Sequence, residues 1–228
     1  TGYQPVAIDV LSNDTDADAD PLRVILLKTE TMNGIAYINE DDLLVTYAAL
    51  PGFSGADTFD YVVTDCNGGA DVGRVRINAT APPSVISVPY DSPSIGAALA
   101  SATSGDTVRV ECGTYFESGL VIPQGVTLVS EDGDPGCVTI DGSGSTGRVL
   151  QVADADTATL LAGITVVGGN GVGRGGGLCC LRASPRVSDC VFHGNAAVSG
   201  GGVACAEGSA GVFVGCRFSG NSATDGGG

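Results

Sequence analysis

The last quarter of this sequence repeats itself, and the repeat length narrows the fold to very few choices. Gly-Asn pairs fall at Gly169-Asn170, Gly194-Asn195 and Gly220-Asn221, in steps of 25 and 26 residues. Gly triplets at 175–177, 200–202 and 226–228 keep the same steps, as do Cys180 with Cys205 and Cys190 with Cys216. A fixed period in this range means stacked units, each covering the hydrophobic face of the next. Each period holds two or three short apolar runs, such as Leu178 to Leu181 and Arg186 to Phe192, and no helical pattern. One coil of a parallel β-helix fits these marks. Propeller blades need about forty residues, and leucine-rich repeats need a Leu spacing that is absent here.

Upstream, Thr107-Val108-Arg109-Val110, Gly125-Val126-Thr127-Leu128-Val129 and Cys137-Val138-Thr139-Ile140-Asp141 read as further strands, and Cys112 to Cys137 is again a step of 25. The solenoid is therefore expected to start near Gly105 and to run for about five coils of 25–26 residues. Ser94 to Ala100 is the one good helical pattern and precedes the first coil, where a lid on the open end is needed. The chain stops inside a repeat, so the solenoid is expected to be incomplete at its C-terminal end.

Composition agrees with an all-β reading. Gly supplies 36 of 228 residues, and it is a poor helix former that β structures use at turns and bulges. Ten bases against 26 acids give a net charge of -16, and Lys28 is the only lysine. A nucleic-acid partner is thereby excluded, because phosphate contacts need clustered Lys and Arg. No apolar stretch is long enough to cross a bilayer as a helix. The eight cysteines form no CxxC pair, which speaks against zinc knuckles, and an even number of them in an exported chain suits disulfides. The chain is expected to be extracellular or at the cell surface.

Ahead of the Pro82-Pro83 pair the character changes from Gly-rich repeats to Asp-rich alternating strands, which sets domains at 1–83 and 84–228. Val6 to Leu11, Leu22 to Leu27, Ile35 to Tyr37, Leu43 to Tyr47, Thr58 to Thr64 and Arg74 to Ile77 read as strands. Asn33-Gly34 gives a hairpin turn signal, and Asn39-Glu40-Asp41-Asp42 a polar turn. About seven short strands in eighty residues predict a β-sandwich. Asp14, Asp16, Asp18 and Asp20 alternate with small residues, so a looped backbone could aim several hard oxygen donors at one Ca2+. The pattern lacks the Gly and Glu of an EF-hand. The competing expectation is an acidic turn whose Asp side chains accept from local backbone N–H groups.

Val10-Leu11-Ser12-Asn13-Asp14-Thr15-Asp16-Ala17-Asp18 and Gly52-Phe53-Ser54-Gly55-Ala56-Asp57-Thr58-Phe59-Asp60-Tyr61 resemble bacterial cadherin-like, immunoglobulin-like repeats, with Thr64 to Gly69 similar to their last turn. The resemblance implies a unit of a large surface protein, often stiffened by calcium, and adds Asn13, Asp57 and Asp65 to the metal candidates. Residues 85–228, from Ile95-Gly96-Ala97-Ala98 through Gly105-Asp106-Thr107-Val108-Arg109-Val110 and Gly113-Thr114-Tyr115, resemble right-handed β-helices of the pectin-lyase-like superfamily. The final coils, with Phe192-His193-Gly194-Asn195 and Phe218-Ser219-Gly220-Asn221, resemble repeats of polymorphic outer-membrane proteins.

That superfamily includes polysaccharide lyases and glycosidases, which need facing carboxyl groups or a base with charge neutralisation. Asp189 has Gly215 one coil on, Arg186 has Val212, and Asp141, Asp154 and Asp156 have no stacked acidic partner, so no catalytic set is expected. His193 meets Ser219 at the same repeat position and reads as a surface residue. Asn170, Asn195 and Asn221 are expected to stack as an amide ladder. Two cysteine pairings stay open. Bridges between coils would strain strands about 4.8 Å apart, whereas bridges within a coil, Cys180 with Cys190 and Cys205 with Cys216, recur with the repeat. Cys112 and Cys137 are further candidates, and Cys66 or Cys179 could link chains. The leading expectation is a structural or adhesive surface rod, self-associating head-to-tail or forming part of a longer protein. The alternatives are a polysaccharide-degrading enzyme and a glycan-binding module.

Overall fold

The structure, a computed structural model, describes residues 5–28, 31, 33–39, 43–50, 53–79 and 83–226. Glu40, Asp41 and Asp42 of the expected polar turn, Gly52, Thr80 and the final Gly pair lie outside the described residues. The chain divides into Thr1–Pro82 and Pro83–Gly228.

The first unit has six described strands: β1 (Val6–Ile8), β2 (Arg23–Leu27), β3 (Gly34–Ile38), β4 (Val45–Ala49), β5 (Gly55–Thr64) and β6 (Ala70–Ala79). They form two antiparallel three-stranded sheets, β1-β4-β3 and β2-β5-β6. The alternation in Val6 to Leu11 stops early because Asp14 N donates to Leu11 O at 3.0 Å and closes a turn. Asn33-Gly34 does not make a hairpin turn: it enters β3, and Leu50 N donates to Asn33 O across to β4. The β5-β6 hairpin is the longest, pairing Gly55 with Ala79 through Thr64 with Ala70. Inward side chains of both sheets, Val24, Val45, Tyr47, Phe59, Tyr61 and Val63, with Val10 from the first loop, form its core.

The second unit is a parallel β-solenoid. It starts earlier than Gly105, because β7 (Val85–Val88) already pairs with β8 (Thr107–Val110). Between them α1 (Ile95–Ser101) buries Ile95, Ala98 and Leu99 on the end of the core, as a lid should. Ser94 caps the helix, and the Glu117 carboxylate accepts from Ile95 N and Gly96 N at 2.9 and 2.8 Å. The first coil continues with β9 (Gly113–Tyr115) and β10 (Leu120–Ile122), the second with β11 (Thr127–Ser130), β12 (Val138–Asp141) and β13 (Leu150–Ala153). The third holds β14 (Leu160–Ala162), β15 (Ile164–Val167), β16 (Asn170–Arg174) and β17 (Leu178–Leu181). The fourth holds β18 (Arg186–Ser188), β19 (Val191–His193), β20 (Ala196–Ser199) and β21 (Val203–Ala206), and the last β22 (Val212–Val214), β23 (Arg217–Ser219) and β24 (Ser222–Ala223).

Strands of successive coils stack into β7-β8-β11-β14-β18-β22, β9-β12-β15-β19-β23, β10-β13-β17-β21 and β16-β20-β24. The core is built of side-chain columns one residue per coil, such as Ile86, Val108, Leu128, Leu161, Val187 and Phe213. Phe192 and Phe218 stack with ring centroids 5.3 Å apart. In the early coils the 25–26 step holds in one sheet only, where Gly113 pairs with Val138 and Val138 with Ile164, and breaks in the others. Thr107 pairs with Thr127 and Thr127 with Leu160, steps of 20 and 33, because turns between the strands lengthen or shorten. A bulge in β16 produces the later alternation: Gly171 pairs with Ala197 but Arg174 with Ser199, so a step of 26 becomes 25.

Candidate functional site

The acidic loop and the β5-β6 turn line one cleft of about 400 Å³, whose walls include Asn13, Asp14, Asp16, Asp65 and Asp71. The Tyr61 hydroxyl ties the loop to the core, pointing at Val10 O at 2.8 Å and Asp14 Oδ2 at 3.0 Å. Burial, followed by the bond to Asp14, pushes this phenol up to about 12. Asp65 turns back on its own loop and accepts from Asn67 N and Gly69 N at 2.7 and 2.9 Å. The Asn67 N–H, with those of Gly69, Asp65 and Gly68, holds the Asp65 carboxyl below its ordinary value. A Cβ on Gly69 would collide with Asp65 Oδ2, so a larger residue there would displace this carboxylate.

The other loop acids serve the turn. Asp16 Oδ1 accepts from Asp18 N and Asp20 N at 2.9 and 3.0 Å, and Asp20 Oδ2 accepts from Asn67 Nδ2 at 2.8 Å. Neither Asp18 nor Asp20 lines the cleft. Asp57 lies away from it, buried at 6% exposure, where it accepts from Tyr47 Oη, Asn33 N and Thr58 N. The cleft carries four carboxylates and no basic wall residue, which suits a hard cation in kind. Its acids do not converge on one shell, since the one described set with three ligand atoms within 4.8 Å is Cys112, Asp132 and Cys137. Asp71, absent from the sequence-derived set, joins the cleft because it follows the hairpin turn directly across from Val63.

Residues 1–78 match the family model of the bacterial Ig domain. The first unit is a bacterial Ig-like domain. No curated protein and no solved structure matches the chain. The acidic cleft and the exposed Cys66, at φ 61 in the turn after β5, thus belong to the Ig-like domain.

In the solenoid that follows the Ig-like domain, the acids considered for catalysis hold turns and neighbouring coils. Asp154 pairs with Arg182 at 2.7 Å, and Arg182 also meets Glu207. Asp141 accepts from Ser143 N and Asp156 from Ala158 N. His193 Nδ1 lies 3.0 Å from Ser219 O on the next coil. The amide ladder has two members rather than three. Asn195 Nδ2 donates to Val166 O and Asn221 Oδ1, and Asn221 Nδ2 donates to Phe192 O. Asn170 is exposed and pairs with Ala196, whereas Gly169 occupies the ladder position and donates to Asn195 Oδ1. The true step there is 26, not the 25 that aligning Asn170 with Asn195 supposes.

Cys112 and Cys137 form a disulfide between coils, with Cα atoms 4.5 Å apart. Both sit at corners outside the regular strands, where the pleat does not hold their Cβ atoms side by side. Within-coil partners are not brought together: Cys180 meets Cys205 and Cys190 meets Cys216. Cys179 is fully buried, which leaves Cys66 as the exposed candidate for a link between chains.

Proposed function

We propose that this chain is a structural and adhesive segment of a bacterial surface protein. The observation that carries the reading is the pairing of a bacterial Ig-like domain with a β-solenoid, a make-up that marks surface or adhesin-like proteins. The solenoid acts as a non-catalytic scaffold in this reading, supported by acids that are spent on turns and coil contacts.

Calcium belongs to the same reading. Asp14, Asp16, Asp65 and Asp71, with Asn13, line the cleft and would have to draw together around the ion, which would neutralise their mutual repulsion and stiffen the loop. The last coil leaves Val212, Val214 and Phe218 half-exposed at 46%, 55% and 47%. Stacking of another coil of this kind, from a longer chain or from a second copy in head-to-tail assembly, would cover them and the strand edges beside them.

Negative-stain electron microscopy of the purified chain, with calcium and then with chelator, tests this. Rods or filaments that loosen in chelator are expected. Compact monomers indifferent to calcium would overturn the assembly, and depolymerisation of an acidic polysaccharide by the chain would overturn the non-catalytic scaffold.

A further inference from the structure

Six cysteines are thiols, and four of them face one another in pairs. Cys180 in β17 lies directly beside Cys205 in β21, at the end of a core column begun by Ile122 and Val152. Cys190 and Cys216 are likewise one coil apart: Arg217 N donates to Cys190 O at 2.8 Å, which seats Cys216 beside Cys190. Each also approaches a carbonyl of the preceding coil, Leu161 O at 3.8 Å for Cys190 and Val187 O at 3.4 Å for Cys216. Cys190 and Cys216, like Cys112 and Cys137, sit at corners outside the regular strands. Cys180 and Cys205 instead lie within strands about 4.8 Å apart, a spacing inside the Cα range of about 4.4 to 6.8 Å for disulfides but one that requires their Cβ atoms to move together on closure. The coil stack already holds one such bond, between Cys112 and Cys137.

We propose that Cys180 with Cys205 and Cys190 with Cys216 are sites of disulfide closure between coils. Together with Cys112–Cys137 these bonds would staple the first coil to the second, the third to the fourth and the fourth to the fifth. Cys179 takes no part. It points to the opposite side of β17, and its register partners Gln151 and Ala204 carry no sulfur.

The oxidant is a low-molecular-weight disulfide. Cys205 is the exposed member of its pair and lines an open depression with Arg174 and Glu207. Its proton passes to water, and its thiolate attacks one sulfur of the reagent, whose S–S bond breaks and releases one thiolate. Cys180 then loses its proton and displaces the second reagent thiolate from Cys205. Two protein thiols are oxidised and one external disulfide is reduced to two thiols. Cys216, less buried than Cys190, takes the same first step. At both entry residues the neighbouring buried thiol favours the thiolate and moves it below the ordinary thiol value.

The test equilibrates the folded chain in a mixture of oxidised and reduced glutathione, alkylates it in denaturant, and maps linked peptides by mass spectrometry without reductant. Links 180–205, 190–216 and 112–137 are expected, with only Cys66 and Cys179 alkylated. Links 180–190 or 205–216 would overturn the proposal, and so would any of the four thiols remaining alkylatable once Cys112–Cys137 has closed. In Cys205→Ser, Cys180 should become alkylatable in denaturant while 190–216 still forms. A new 180–190 link in that variant would also count against the assignment.

Discussion

At the scale of single residues, the Ig-like domain is organised by tyrosines laid over glycines. Gly73 stands opposite Tyr61 across the β5-β6 hairpin, and a Cβ there would come within 2.2 Å of the ring. The ring is 4% exposed and its hydroxyl reaches Val10 O and Asp14, so displacing it also loosens the acidic loop. Gly73→Ala is therefore expected to cost about 1–3 kcal/mol, read as a lower urea midpoint followed by tyrosine fluorescence, since the chain has no tryptophan. Tyr47 repeats the arrangement over Gly34, with its hydroxyl on Asp57. Burial first, then the carboxylate partner, pushes both phenols up to about 12, against about 10 in an unfolded chain. Between these values the folded form keeps protons that the unfolded form has lost. Stability from the two residues is thus complete below about pH 10 and falls as pH rises toward 12. Urea midpoints measured from pH 9 to 12 should decline, and Tyr61→Phe should flatten part of that decline. A midpoint that stays level to pH 12 would contradict the burial of both phenols.

At the scale of elements, the solenoid's first coil is closed by a buried carboxylate. Asp106 accepts from Ser84 N, Ser84 Oγ, Thr103 N and Thr103 Oγ1 at 2.7–3.0 Å, pinning the entry to β7 and the exit from α1 to the start of β8. Burial pushes its carboxyl up, but these four bonds outweigh burial and hold it below the ordinary value. The contribution is present above the unfolded carboxylate range and is lost as pH falls through the lower folded value. Asp106→Asn is expected to destabilise the solenoid by about 1–3 kcal/mol and to remove that acid sensitivity, measured by thermal melts from pH 3 to 7. Nothing in Gly105-Asp106-Thr107 announces this clamp, because its partners lie 22 and 3 residues away and only folding brings them together. The same limit separates the legible coils from the others. From Leu160 onward, column residues recur at near-constant spacing and the period could be read directly. Before that only β9, β12 and β15 keep the step, whereas Leu120 to Leu150 is 30 residues and Thr127 to Leu160 is 33, and the bulge in β16 misaligns Asn170 by one residue. The acidic cleft was legible in part: Asn13, Asp14, Asp16 and Asp65 do share it. Asp57 and Asp71 exchange places because facing across a hairpin is a property of register rather than of sequence proximity.

At the scale of the whole molecule, the two units carry separate hydrophobic cores and separate reinforcements. The disulfide and the thiol pairs lie in the solenoid, and the acidic cleft lies in the Ig-like domain. Calorimetry should therefore resolve two transitions, the one of larger enthalpy belonging to the solenoid because unfolding enthalpy scales with chain length. Cys112–Cys137 closes a loop of 25 residues, and the chain-entropy account gives such a bond roughly 3 kcal/mol. Reductant is then expected to lower the solenoid transition by on the order of 10 °C and to leave the Ig-like transition in place. Calcium should do the reverse, raising the Ig-like transition alone by relieving repulsion among four carboxylates in a chain whose net charge is already -16. Salt at equal ionic strength separates the two effects of the ion, since screening acts on every exposed charge whereas coordination acts on one loop. If sodium chloride reproduces the calcium shift in full, the cleft is an acidic turn and stiffening by metal is ruled out. A shift that survives in excess salt and disappears with Asp14→Asn assigns the ion to that loop.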